Sequence, residues 1–131
     1  MRHLESTLQQ TCVRWARYQY PILRTLLFAV PNGYKTTVTQ ARIAKAEGLV
    51  SGVADLILAH PSDDGQYACL FIEMKQGKGK QSENQKKFQE EIMKFGIYDY
   101  RVVRSFEEFK RLIEFWMGGY PKWSKVLLET K

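Results

Sequence analysis

The feature that most constrains the fold is a pair of apolar runs with almost nothing between them. Residues 53–60 and 67–75 are rich in aliphatic and aromatic side chains, and only Pro61-Ser62-Asp63-Asp64-Gly65 and Gln66 separate them. That insert is turn chemistry, and two strands joined by so short a turn pair antiparallel. A polar loop over 76–81 follows the second run. A helix then opens at Ser82 and runs to Phe95, with Gly96 as its stop, and a third apolar run covers 98–104. A strand–helix–strand connection of this kind is a right-handed parallel crossover. One sheet therefore has both antiparallel and parallel neighbours.

The flanks complete the pattern. Leu4, Leu8, Cys12 and Trp15 recur at helical spacing and predict a first helix over 3–20, which Pro21 ends. Residues 25–30 read as a short strand, Pro31-Asn32-Gly33 as a turn, and 39–47 as a helix with Gly48 at its C-cap. Ser105 and Glu108 form a capping box for a last helix that reaches Met117, with Phe106, Phe109, Ile113 and Trp116 as its apolar stripe. The expected order is α-β-α-β-β-α-β-α, an α/β fold with a mixed central β-sheet. With 131 residues, no repeat and no Pro/Gly/Ser-rich linker, residues 1–131 form a single domain. The tail, 118–131, keeps Tyr120, Trp123, Val126, Leu127 and Leu128. That much apolar surface points to docking, either on the core or on a second subunit.

Composition closes off several function classes. A chain that is 44% hydrophobic and 13% aromatic builds a core and is not a disordered tail. Its longest apolar run, 26–30, is too short to cross a bilayer, and no signal-peptide pattern opens the sequence, so the protein is expected to remain where it is made. Cys12 and Cys69 lie far apart and share no metal-ligand spacing with His3 or His60. The expectation is two reduced, buried thiols and no zinc site. The formal charge of +6 favours a polyanionic partner such as nucleic acid, with plain solubility as the competing explanation.

Charged residues inside apolar strands carry the chemistry. Glu73 and Lys75 share one strand face, because side chains alternate. Centring the turn near Gly65 sets residue 55 opposite 75 and 57 opposite 73, and every register of the same parity keeps Asp55 on that face. Two carboxylates brought together repel unless a cation joins them. Carboxylate oxygens with the Met74 carbonyl and waters suit Mg²⁺ or Mn²⁺, an ion able to polarise a phosphodiester and activate water. Lys75 is placed to orient or deprotonate that water or to stabilise developing charge. The bland alternative is a salt-bridge cluster at a sheet edge.

The flanks supply candidate helpers. Gln85 begins the core-facing stripe of the crossover helix (Gln85, Phe88, Ile92, Phe95) and also completes a capping box with Ser82. Lys78, Lys80, Lys86 and Lys87, beside Gly77 and Gly79, form a candidate phosphate-contacting rim, against the reading of a solvated charge run. Asn32, Tyr34 and Lys35 are candidates for a second DNA contact. Glu5 lies one turn from Gln9 on the first helix, where a carboxylate either reaches the sheet site or is a surface residue.

Taken together, Glu5 with Gln9, Pro31-Asn32-Gly33, Gly52-Val53-Ala54-Asp55, Ile72-Glu73-Met74-Lys75, Ser82-x-x-Gln85 and Val102-Val103-Arg104-Ser105 resemble a VRR-NUC domain of the PD-(D/E)XK nuclease superfamily. The resemblance runs from about residue 5 to 113. It implies a restriction-endonuclease-like core and a Mg²⁺- or Mn²⁺-dependent DNA endonuclease. It also implies metal ligation by Glu5, Asp55 and Glu73, with Lys75 catalytic and Gln85 in support. One departure is Ala54, where the superfamily name puts proline. Short stand-alone members of phages and bacteria resemble Holliday junction resolvases and act as homodimers, which implies branched DNA as substrate and the cytoplasm of a bacterium or infected cell as location. The competing functions are a flap-cutting, nicking or restriction-related nuclease, a DNA-binding module that no longer cuts, and a hydrolase of small phosphoesters.

Overall fold

The computed structural model describes residues 2–31 and 37–119 of the chain. Helix α1 (Arg2–Gln19) is followed by a single helical turn, α2 (Leu23–Leu26), and strand β1 (Leu27–Ala29). Then come α3 (Val38–Ala46), β2 (Leu56–Leu58), β3 (Cys69–Met74), α4 (Glu83–Met93), β4 (Tyr98–Val103) and α5 (Phe106–Trp116). The four strands form one sheet in the order β1-β2-β3-β4, antiparallel across the first two junctions and parallel across the third. This is the α/β architecture with a mixed sheet that the apolar runs predict.

Two local readings change. Residues 25–26 are helical, because Leu23 and Arg24 donate back to Tyr20 and Pro21 and close a turn before the chain extends. The first run of the hairpin shortens to three residues, Leu56–Leu58. Gly52, at φ +89°, bends the chain before it, and a Cβ there would come within 2.6 Å of the Asn84 backbone. Only glycine lets that loop lie against the start of α4.

One face of the sheet builds the main core. Leu56, Leu58, Leu70, Ile72, Met74 and Val103 belong to the core, together with Cys12 and Ala16 of α1 and Phe109, Ile113 and Trp116 of α5. Trp15 sits edge-on to both Phe106 and Phe109, which fastens α1 to α5. Trp116 stacks on Tyr67 at 5.7 Å and donates to the His60 carbonyl, tying the last helix to the hairpin.

The other face of the sheet is covered by α4, where Phe88 meets Phe71 and Tyr100 edge-on. Phe95, expected in the core, is 69% exposed, because α4 ends at Met93 and leaves it on the connecting turn, where its ring meets Tyr98 edge-on. Cys12 is buried and burial pushes its thiol up to about 12, while Cys69 is only half-buried; both are free thiols. The tail beyond Gly119 and the segment 32–36, with Asn32, Tyr34 and Lys35, lie outside the described residues. Among the described residues no helix is long and apolar enough to cross a membrane.

Candidate active site

The hairpin places the acidic pair. Leu56 pairs with Ile72 and Leu58 with Leu70, so one step further along the register Asp55 stands beside Glu73. The observed register is shifted by two residues from the expected 55-opposite-75. A shift of two preserves parity, so Asp55 and Glu73 still share the face covered by α4. Asp55 turns its carboxylate to the strand end, where Oδ2 accepts from the Met74 N–H at 2.6 Å. Its carbonyl accepts from Val30, which anchors the end of β1.

Glu73 is fully buried. Its Oε1 accepts from the Tyr100 hydroxyl at 2.5 Å and from Gln81 Nε2 at 3.0 Å. Its Oε2 is buried without a hydrogen-bond donor, and the nearest cation is Lys75 Nζ at 3.6 Å. The Lys75 side chain is 14% exposed, so the amine sits at the rim of the site rather than in open solvent. Its backbone N–H donates to Val103, which continues the parallel ladder past Met74.

Burial is the largest influence on Asp55 and raises its carboxyl above the ordinary value. The Met74 N–H opposes that rise, Glu73 and Glu5 add to it by repulsion, and Lys75 opposes it. Glu5 of α1 therefore lies within electrostatic reach of Asp55. Tyr100 is raised by burial and by its carboxylate neighbour, so it remains a hydroxyl donor.

Among the described residues no three Asp, Glu, His or Cys side chains are gathered closely enough to form a metal cage. The donor set still suits a hard divalent ion. One carboxylate oxygen of Glu73 is buried without a donor, and Asp55 is raised by two further carboxylates. Mg²⁺ is commonly held by one or two carboxylates with several retained waters.

The remaining candidates divide. Gln85 closes the capping box of α4, with Oε1 accepting from the Ser82 N–H at 2.8 Å. The glutamine that meets Glu73 is Gln81, braced in turn by the Gln89 Oε1 at 2.8 Å. Met74 has its side chain in the core and its N–H on Asp55. Lys78 and Lys80 are exposed on the loop 76–81, and Lys86 forms a loose surface pair with Glu83 at 3.5 Å. That loop is held by Arg104, whose Nη1 donates to the carbonyls of Gly77 and Gly79.

Gln81, Gln89 and Tyr100 are the partners that sequence reasoning overlooked, while Arg104 stood in the Val102-Val103-Arg104-Ser105 segment without an assigned contact. Tyr100 alone carried a signal: it has the parity in β4 that faces α4, the same face as Phe71 and Glu73.

Comparison with known proteins bears on the family and the fold. The profile of the VRR-NUC domain matches residues 2–107. A solved structure described as a VRR_NUC domain protein superposes with a TM-score of 0.72, covering 89% of this chain and 90% of its own, at 22% identity. No curated protein matches in sequence. A profile match over most of the chain, on a fold shared with that structure, makes this chain a member of the VRR-NUC domain family, a nuclease-type domain.

Proposed function

We propose that the protein is a Mg²⁺- or Mn²⁺-dependent endonuclease that hydrolyses phosphodiesters of branched DNA. The observation that supports it most is the Asp55–Glu73 pair on one sheet face, with an unsatisfied buried oxygen on Glu73 and an amine 3.6 Å away. A cluster meant only for stability would gain more from apolar residues of the same volume than from buried acids.

Asp55 and Glu73 would hold the ion, with Glu5 and the Met74 carbonyl as further donors. The ion supplies Lewis-acid stabilisation and a more acidic water. Lys75 orients the attacking water or neutralises charge on the phosphate as the bond breaks. Tyr100 and Gln81 fix the Glu73 carboxylate by donating to Oε1, which leaves Oε2 directed to the ion. Gln85 supports the site through α4, whose first turn it caps. Lys78, Lys80 and Lys86, with Asn32, Tyr34 and Lys35, contact phosphates. Those contacts carry no base identity, so DNA shape sets selectivity.

Branched DNA is the favoured substrate because the chain is a small basic domain of the kind that resembles junction resolvases. A four-way junction has two-fold symmetry, and a homodimer supplies its two paired cuts.

The test uses synthetic four-way junctions, flaps and plain duplex incubated with Mg²⁺, Mn²⁺ or EDTA. Cutting of junctions that needs the metal and is abolished in Asp55→Asn supports the proposal. Preference for flaps or nicks would move the substrate but keep the reaction. Binding without cutting under every metal would sink it. Light scattering reads the oligomeric state.

A further inference from the structure

From Glu5, steps of four residues pass through Gln9 and Val13 to Arg17 along a row inclined to the axis of α1. Beyond Glu5 it borders a groove of about 570 Å³ lined by Arg14, Arg17 and Arg24, with Gln9, Ala29 and Leu56 among its other walls. Among the described residues no acidic side chain lines it. Among the described residues, none of the three arginines forms an ion pair.

Arg17 is the central observation. Its Nη2 donates to the Leu27 carbonyl at 2.8 Å, which fixes the guanidinium against the start of β1. Its Nε is buried with no acceptor at all. A guanidinium stays charged at every physiological pH, so this one is held in place, partly desolvated and without a counter-ion among the described residues. An anion from outside offsets that cost, and the planar fork of arginine matches phosphate oxygens.

The groove also starts where the acidic site ends. Gln9 lies one helical turn past Glu5, and Leu56 follows Asp55 and pairs with Ala29. Arg17 is twelve residues beyond Glu5, about 18 Å along the axis, which matches the rise of roughly five nucleotides. Among the described residues the lining holds no aromatic ring on which a base would stack.

We propose that this groove is a second DNA subsite, taking the phosphodiester backbone a few nucleotides from the scissile bond. It rests on the nuclease reading of the acidic site. It lies on the α1 face of the sheet, whereas the Lys78–Lys80 loop leads into α4 on the other face, so the two basic surfaces grip the substrate on either side of the cut. Arg14 and Arg24 contact phosphates directly, and Arg17 sets the charge at the floor.

The test is binding of a labelled duplex to the full chain in EDTA across a salt series, followed by fluorescence anisotropy. Arg14→Ala/Arg24→Ala is compared with wild type and with Lys78→Ala/Lys80→Ala. Removing two phosphate contacts is expected to lower the slope of log K against log salt by about 2, with a uniform loss across DNA sequences. Should the alanine pair disturb helix content, Arg14→Gln/Arg24→Gln replaces it. An arginine variant with wild-type slope and affinity, beside a lysine variant that is weakened, overturns the subsite. So does a mononucleotide that binds the wild type as tightly as duplex, since it assigns the groove to small phosphate esters. A wild type that fails to bind DNA overturns it as well. A wild type that binds with the expected slope change but never cuts with Mg²⁺ or Mn²⁺ leaves the subsite standing and removes the nuclease reading instead.

Discussion

Tyr100 and Gln81 both direct their polar ends to Glu73 Oε1, and the opposite oxygen has no donor. In the proposed metal site, that asymmetry would orient the carboxylate for an ion. Groups that orient a metal ligand typically govern affinity by 10- to 100-fold. Tyr100→Phe is therefore expected to weaken Mn²⁺ binding by roughly that factor while the chain stays folded, as titration calorimetry would read. Wild-type affinity in Tyr100→Phe would remove this role. Glutamines separate by the same logic. Gln81→Ala should lower cutting, whereas Gln85→Ala should act mainly through the cap of α4. Asp55, Glu73 and Lys75 were legible in the sequence because charges in apolar strands stand out and strand parity survives a register error of two. Tyr100 and Gln81 were not, since a tyrosine in a strand and a glutamine in a polar loop look ordinary until a buried carboxylate is placed beside them.

Capping and turns decide where each element begins and how the site's walls are held. Ser82 accepts from the Gln85 N–H, so Ser82→Ala is expected to cost about 1 kcal/mol in denaturant melts. Gly52→Ala meets the Asn84 backbone at φ +89° and is expected to cost 1–3 kcal/mol or more, roughly the scale of backbone strain. The hairpin turn carries a pH signature. The Ser62 hydroxyl, then the Gln66 N–H, hold the Asp64 carboxyl below its ordinary value of 3.8. A lowered carboxyl contributes stability that is present above the ordinary value and lost as pH falls through the folded one. The difference in melting temperature between wild type and Asp64→Asn should thus shrink in strong acid and hold steady near neutrality.

Element types were readable from periodicity and punctuation, but the strand reading of 25–26 failed because nothing local distinguishes a closing helical turn from a strand start. At Ser105 the hydroxyl accepts from the Glu108 N–H as expected, yet the Glu108 carboxylate accepts from Arg104 instead of Ser105. Spacing names the partners of a cap, and only the path of the preceding strand decides which N–H is within reach.

Across the whole molecule, the raised Asp55 carboxyl means that the folded chain takes up a proton more readily than the unfolded one. Ionisation of Asp55 therefore opposes folding above its folded value, and that opposition fades as pH falls. In the proposed metal site, a divalent cation would offset both the burial of Asp55 and the repulsion from Glu73 and Glu5 at neutral pH. Mg²⁺ or Mn²⁺ at a hundred times its dissociation constant should stabilise the fold by about 2.7 kcal/mol. A thermal melt would show the rise, and Asp55→Asn should lose it. Sequence-adjacent strands are neighbours throughout the sheet, so the Asp55–Glu73 pair comes from one local hairpin. Glu5 is different. It rides on a helix held by Trp15 against Phe106 and Phe109, rings supplied a hundred residues away by the far end of the fold. Loosening α5 would free α1 from that brace, so a helix remote from the proposed metal site governs whether Glu5 stays within electrostatic reach of Asp55.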